Sequence, residues 1–225
     1  MKKQTPDELE RIQQAILERE IEEELQKERL LNFWKKYRFL IIGGIVAVIL
    51  STAGTQFYHS WKNKVRLAES NQFEAAVLKS VTGREKEATT ELDTLSNTAK
   101  TNYKYLAALR SAGINLQNNN TKEGLQKLKS VFEDSSAPSA LKSAALLSYV
   151  GHQVDTEEPL KLLGLLEPLL TPQSEFFHPA IELKVSILLK QGKKDEAKKT
   201  LQDALLNPNL TPIVIERLNS LLSAI

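Results

Sequence analysis

The stretch FLIIGGIVAVILSTAGTQFY, from Phe39 to Tyr58, contains twenty consecutive residues without a charged side chain. As an α-helix that rises about 1.5 Å per residue, it would be about 30 Å long, which matches the hydrocarbon thickness of a bilayer. A helix of this length on the surface of a soluble protein normally has one polar face, and this stretch has none. It therefore predicts a transmembrane helix over residues 39–58.

The residues that flank this stretch are typical of membrane–water interfaces, where amphipathic rings accumulate. Seven of the fourteen aromatic residues lie at its two ends: Phe33, Trp34, Tyr37, Phe39, Phe57, Tyr58 and Trp61. The fifteen residues before it hold five Lys or Arg, and the fifteen after it hold three. By the positive-inside rule, residues 1–38 are predicted to be cytoplasmic and residues 59–225 to lie across the membrane.

A cleaved secretory signal is the alternative interpretation, because Ser51 and Ala53 are small and spaced as a cleavage site requires. The 38 residues before the stretch, however, carry nine acidic side chains, unlike the short basic start of a signal peptide. We therefore expect an uncleaved anchor.

Small residues recur every four positions within the stretch, at Gly43, Ala47 and Ser51. They share one helix face and would allow a partner helix to approach closely, so this face is a candidate contact surface. The alternative is that Gly and Ala are simply common in spanning helices.

The N-terminal segment 1–38 is predicted to be acidic and helical. Thr5-Pro6-Asp7-Glu8 has the pattern of a helix start, with a capping Thr, a Pro at the first helical position and a carboxylate at the third. Leu9, Ile12 and Ile16 then form a short apolar stripe. Such a charged helix is most often a solvated surface.

After Trp61, the pattern is helical throughout. Short polar breaks divide it: Thr82-Gly83, Asn97–Thr101, Asn118–Asn120, Asp134–Pro138, Gly151–Asp155, Pro168–Ser174, Gln191-Gly192 and Asn207–Thr211. No stretch alternates apolar and polar residues with the period of a strand. We therefore predict an all-α fold of about nine helices.

The breaks enclose a repeated pattern of small and apolar residues with a period of 35 to 38 residues. Its four columns are Ala76, Ala112, Val150 and Val185; Ala88, Gly124, Leu162 and Ala197; Leu92, Leu128, Leu166 and Leu201; and Leu95, Val131, Leu169 and Ala204. We call these sixteen positions the lattice. They predict an α-solenoid of tetratricopeptide-like helix pairs, with a generic helical bundle as the alternative. Pro168 is expected to break the third unit, and Thr211–Ile225 to cap the last.

Two longer stretches carry a resemblance to a known family. Residues 22–50, EEELQKERLLNFWKKYRFLIIGGIVAVIL, resemble the juxtamembrane start of a bacterial family of membrane-anchored tetratricopeptide-like proteins. Residues 176–222, FFHPAIELKVSILLKQGKKDEAKKTLQDALLNPNLTPIVIERLNSLL, are similar to its C-terminal end. This family is related to the ancillary subunit of the SecYEG translocon, the YfgM-like proteins.

The resemblance implies a single-pass protein of the bacterial inner membrane, whose repeat domain (residues 59–225) faces the periplasm. It also implies association with the Sec translocon and a membrane-anchored periplasmic foldase, and chaperoning of exported proteins. The acidic N-terminal segment is longer here than in the family, so it can serve a contact absent elsewhere.

Composition excludes several other classes. The chain has no cysteine, so disulfides, thiol nucleophiles and cysteine–zinc sites are excluded. A net charge of +2 is too small for a typical nucleic-acid-binding surface, and we interpret the densest basic cluster, Lys193, Lys194, Lys198 and Lys199, as a solvated helix face. No phosphate-binding glycine loop, nucleophile elbow or calcium loop occurs. We also expect no carboxylate or second histidine one helical turn from His59, His152 or His178 to make a metal pair. We expect no cofactor, no metal and no catalysis.

Two functions remain. The first is a membrane-tethered module that binds exported proteins near the translocon. Its candidate groove residues are Leu106, Leu109, Arg110 and Leu116. The membrane-helix face of Gly43, Ala47 and Ser51 would hold the partner complex. Core packing is the alternative role of the three leucines, and we expect it for at least two of them. The second function is a non-catalytic scaffold for another envelope assembly, such as the division or cell-wall machinery.

Overall fold

Helices account for most of residues 6–225, the part of the chain that this computed structural model describes, with the side chains of residues 6–18, 20–23 and 41 outside the description. The helices are α1 (Pro6–Val81), α2 (Glu85–Thr98), α3 (Tyr103–Gln117), α4 (Thr121–Glu133), α5 (Ser139–Gln153), α6 (Pro159–Leu166), α7 (Phe177–Lys190), α8 (Lys194–Leu205) and α9 (Pro212–Ala224). No strand occurs within this range, which confirms the all-α prediction. The predicted cap Thr5 and the side chains of Leu9, Ile12 and Ile16 lie outside the described residues.

The chain divides into two units, Met1–Lys62 and Asn63–Ile225. In the first unit, α1 contains a segment that is long and apolar enough to cross a membrane, which makes it a candidate membrane span by length and composition. Its described apolar side chains are exposed. The hydroxyl of Thr52 donates to the carbonyl oxygen of Val48 at 3.0 Å, so this polar group is satisfied within its own helix, as an apolar surrounding requires.

All sixteen lattice positions are buried in the second unit. Residues from α1 and α3 meet α2 in one cluster, and those of α3 and α5 meet α4 in the next. Residues from α5 and α7 meet α6 in the third cluster, and α7, α8 and α9 form the last. The repeated pattern is thus a continuous core between stacked helix pairs, and the solenoid prediction is confirmed.

The turns inside the pairs have a repeated conformation. Gly83, Asn119 and Gly192 have φ values of +82°, +62° and +73°, and each precedes the second-column lattice residue of its pair by five positions. A residue in the left-handed backbone conformation reverses the chain within a short turn, and Gly and Asn adopt this conformation most readily. The third pair has a longer turn between α5 and α6 without such a residue.

The third pair also departs from the pattern at Pro168. Helix α6 is only eight residues long and ends at Leu166, and Pro168 lies in a 3-10 turn over Glu167–Leu169. Pro168 therefore breaks the α-helix as expected, yet Leu169 is still buried in the cluster of α5, α6 and α7. The tighter 3-10 turn returns this side chain to the core.

Helix α9 closes the C-terminal edge. Leu218 is fully buried, and Val214, Leu221 and Leu222 pack against the core of α7 and α8. The predicted cap is confirmed.

Candidate protein-binding site

The first helix of each pair leaves one side open. In α3, Ala107 and Ile114 pack towards α1 and α2, whereas Tyr105 and Ala112 pack towards α4. Because successive residues are about 100° apart on a helix, Leu106 and the residue seven positions later, Gly113, lie on the remaining side. A Cβ atom added at Gly113 would meet no atom within 4 Å, so this side is open space.

Neighbouring first helices lie side by side. The Tyr103 hydroxyl of α3 donates to Ser70 Oγ of α1 at 2.7 Å, and Arg110 Nη2 donates to Ser80 Oγ at 2.8 Å. A Cβ at Gly151 of α5 would lie 3.7 Å from Leu183 Cδ2 of α7. The open sides of these helices therefore form one surface, which we call the inner face.

The inner face is uncharged along its centre. The positions equivalent to Leu106 and Gly113 in all four pairs are Ser70, Val77, Leu106, Gly113, Ala144, Gly151, Pro179 and Ser186. None of the eight is charged and none is buried. This shallow, uncharged centre of the inner face contains two glycines, so another polypeptide can approach it closely. A charged side chain that approached it would find no partner for an ion pair.

Two of the predicted groove residues lie on or beside this centre. Leu106 is half-buried and belongs to no described core cluster, so its side chain is available on the inner face. Leu109 is also half-buried but packs against the core that α3 forms with α4 and α5. Leu106 therefore has the better placement for binding.

The other two are engaged within the fold. Leu116 packs over Gly124, where an added Cβ would lie only 2.6 Å from Leu116 Cγ. Arg110 reaches Ser80, and its Nε atom is buried without a hydrogen-bond partner. Leu109 and Leu116 thus have the core packing expected for at least two of the leucines, and Arg110 has a position between α1 and α3.

Hydrogen bonds to two carboxylates, which we call polar ties, hold the end of α3, the first helix of the second pair. The buried carboxylate of Glu69 on α1 accepts hydrogen bonds from the backbone N–H groups of Lys100 and Thr101 at 2.7 and 3.1 Å, just before α3 begins. The Tyr105 hydroxyl on α3 donates to Asp134 Oδ2 at 2.8 Å. The Ser136 backbone N–H and then the Tyr105 hydroxyl lower the pKa of the Asp134 carboxyl. These polar ties fix the end of α3, whose open side forms part of the inner face.

A clasp joins α7 to α9, and in it His178 has a carboxylate partner one helical turn away, contrary to the expectation from sequence. His178 Nε2 lies 2.8 Å from Glu182 Oε1, and Arg217 Nη2 donates to Glu182 Oε2 at 2.8 Å. Burial raises the pKa of the Glu182 carboxyl, but the hydrogen bond from Arg217 and the nearby His178 outweigh it, so this pKa is lowered. The spacing of four residues between His178 and Glu182 was the signal available in the sequence.

One cleft lies away from the inner face, at the turns of the first two pairs. It measures about 800 Å³ and is lined by Gly83, Arg84, Glu85, Lys86, Glu87, Thr89, Thr90, Asn115, Asn118 and Asn120. Asn118 Nδ2 donates to Glu85 Oε2 across it at 2.6 Å. Within the described part of the chain, no group of three or more His, Asp or Glu side chains is arranged to hold a metal ion.

The remaining candidate residues are exposed. Gly43, Ala47 and Ser51 lie on the surface of α1, and a Cβ at Gly43 would meet nothing within 4 Å. Lys193, Lys194, Lys198 and Lys199 are exposed, whereas Ala197, Leu201 and Ala204 of α8 are buried, which confirms the solvated-face interpretation.

Comparison with known proteins agrees with this architecture. A family model described as a tetratricopeptide repeat-like domain matches residues 31–222. Neither the curated proteins nor the solved structures contain a match to the chain. Domains of this kind are generally non-catalytic modules for protein–protein interaction, which accords with the open, uncharged inner face. With most of its length covered by the family model, the chain belongs to the tetratricopeptide repeat-like family.

Proposed function

We propose that this protein is a membrane-tethered binding module of the bacterial inner membrane that associates with the Sec translocon and assists exported proteins on the periplasmic side. Residues 1–38 are the cytoplasmic segment, residues 39–58 the membrane span and residues 59–225 the periplasmic domain. The resemblance to YfgM-like proteins supports the assignment to the translocon and a membrane-anchored foldase. The excess of Lys and Arg before the span supports the orientation.

The observation that carries the binding function is the uncharged, accessible centre of the inner face. An exported chain that has not folded exposes apolar segments, and their transfer from water onto Leu106, Val77 and the small residues beside them is favourable. Shallow contacts of this kind give low affinity. Tethering compensates for low affinity, because it raises the effective concentration of the inner face near chains that leave the translocon.

Site-specific photocrosslinking in cells tests this proposal. A photoreactive amino acid at Leu106 is expected to form adducts with newly exported chains, and irradiation after synthesis has stopped should no longer produce them. The matched control is Gln126, which is exposed on α4, away from the inner face. Persistent adducts with one stable envelope protein would favour the scaffold function instead, and equal labelling at both positions would reject a specific groove.

The translocon and the orientation need separate measurements. We expect the full-length protein, purified in mild detergent, to retain translocon subunits and the foldase, and substitution of Gly43 and Ala47 by leucine to weaken that association. Protease added outside spheroplasts should digest residues 59–225. A protected C-terminal domain would overturn the orientation without affecting the groove.

A further inference from the structure

The N-terminal edge of the solenoid exposes a surface of the type that the second and fourth pairs bury. Ala107 and Ile114 of α3 pack against α2, and Ala180 and Ile187 of α7 pack against α6, all at 3% exposure or less. The equivalent residues of α1 are Asn71 and Leu78, and both are exposed. We call the surface formed by Leu67, Asn71, Leu78 and Val81 the edge face.

The edge face is opposite the side of α1 that joins the core. Ala76 and Phe73 pack with α2 and α3, whereas Leu67, Leu78 and Val81 are 63%, 59% and 67% exposed. All described residues before them, from Pro6 onwards, belong to α1 itself. No other helix from the described part of this chain therefore precedes α1 to cover this face.

We propose that the edge face binds the edge face of a second copy of this chain, with the two α1 segments parallel. The proposal rests on membrane anchoring, not on client binding by the inner face. Residues 67, 71, 74, 78 and 81 are spaced alternately by four and three, which is the spacing of core positions in a two-stranded coiled coil. Two copies related by a two-fold axis would bring each of these positions against its own counterpart.

Asn71 distinguishes this face from the interfaces inside the solenoid. The equivalent positions of α3, α5 and α7 are all alanine: Ala107, Ala145 and Ala180. An asparagine amide both donates and accepts hydrogen bonds, so Asn71 is complementary to a second Asn71 across a two-fold axis. An asparagine at a single core position of this kind favours a parallel dimer in one register.

Glu74 is compatible with this pairing, although two like charges would meet at its position. The Ser70 hydroxyl donates to Glu74 Oε1 at 3.3 Å within α1. Ser70 belongs to the inner face, so this contact directs the carboxylate away from Asn71 and Leu78. The two Glu74 carboxylates can therefore remain in solvent, beside the contact between the two edge faces (the seam).

The membrane supplies both the orientation and the concentration that this contact needs. Two copies anchored in one bilayer leave it in the same direction. A seam of about fifteen residues is only about 22 Å long and would be weak between free molecules. Co-tethering in two dimensions makes such a weak contact effective.

The absence of cysteine allows a direct test, because each single-cysteine variant has one reactive site. We would introduce Asn71→Cys, Leu78→Cys and, as control, Gln72→Cys into the full-length protein, and oxidise native membranes. Gln72 is exposed on the same helix but outside the edge face. We expect a covalent homodimer at positions 71 and 78, at least about fivefold more abundant than at 72, because a disulfide requires Cβ atoms within about 4.5 Å.

Every other outcome contradicts the proposal. Equal crosslinking at 71, 72 and 78 would indicate random collision, its absence would indicate no contact, and a product with a different protein would assign the face to another partner. Adding Leu78→Asp to the Asn71→Cys variant should abolish the dimer while the circular dichroism spectrum keeps its helical signal. Photocrosslinking from Leu106 should persist in this background, which separates the dimer from the groove.

Discussion

The two edges of the solenoid are finished in different ways. At the C-terminal edge, α9 buries Leu218 against α7 and α8 and presents Glu216, Asn219, Ser220 and Ser223 outwards, with Ile213 and Ile215 exposed in its first turn. At the N-terminal edge, α1 presents Leu67, Leu78 and Val81. Repeat arrays need polar end surfaces to remain soluble, so an apolar edge indicates a surface that is covered in the assembled state. Four substitutions test this difference.

Leu218→Ala should have the largest effect on stability. Leu218 is fully buried, and its removal leaves a cavity where α9 meets the core, so we expect a loss of about 2–5 kcal/mol in the free energy of unfolding. Leu67→Ala at the other edge should change it by less than about 0.5 kcal/mol in monomeric protein. Urea unfolding in detergent, followed by circular dichroism, measures both. Equal losses would mean that α1 has a covered face in the monomer.

Gly124→Ala should have a smaller but distinct effect between the edges. The new Cβ would lie 2.6 Å from Leu116 Cγ and 3.0 Å from the backbone oxygen of Ala112, so α3 and α4 must separate. We expect a loss of about 1–3 kcal/mol from overpacking. Gly113→Ala is the control, because its Cβ meets nothing and alanine favours helix by about 1 kcal/mol. A stabilising Gly124→Ala would contradict close packing of this pair.

Glu182→Gln should weaken the C-terminal edge in a pH-dependent manner. The pKa of the Glu182 carboxyl is lowered in the folded protein from its ordinary value of 4.5. Its ionised form therefore contributes stability above pH 4.5, and this contribution is lost as the pH falls through the lowered pKa. The difference in unfolding free energy between wild type and Glu182→Gln should be present at pH 7 and shrink in acid. A difference that is constant with pH would exclude the clasp as its cause.

Ser220→Leu should have the smallest effect on folding and makes the C-terminal edge resemble the N-terminal one. Ser220 is exposed on α9, so the free energy of unfolding should change by less than about 0.5 kcal/mol. Self-association should increase, because the outer surface of α9 gains an aliphatic side chain. Light scattering of the detergent-solubilised protein, compared with Ser220→Thr, measures this change. Unchanged association would show that one aliphatic residue is insufficient to create a contact edge.

The lattice could be predicted from sequence because burial repeats with the helix pair. Ala88, Leu92 and Leu95 have small or apolar counterparts at the same spacing in every pair, and this regularity needs no tertiary information. The burial of Leu169 could not be predicted in this way, because it depends on the 3-10 turn that contains Pro168 and follows α6. A period identifies which positions face the core, but not how the backbone accommodates an exception.

The inner face was only partly predictable for the same reason. Leu106 and Leu116 are both leucines of α3, and sequence alone gives no reason to separate them. Leu116 is engaged because Gly124 on the next helix has no side chain, a relation between two helices. The position of Arg110 likewise depends on Ser80 of α1. The clasp of His178 and Glu182 was accessible from spacing, but Arg217, 35 residues further along the chain, was not.

The irregular third pair has a consequence for local motion. Helix α6 has eight residues, its turn from α5 lacks the left-handed residue of the other pairs, and it ends in three residues of less stable 3-10 geometry. Few internal hydrogen bonds then hold its backbone, although Leu162 and Leu166 are buried. Amide protons in α6 should therefore exchange with deuterium earlier than those of α4 or α8, and the array should open from its middle while both ends remain folded.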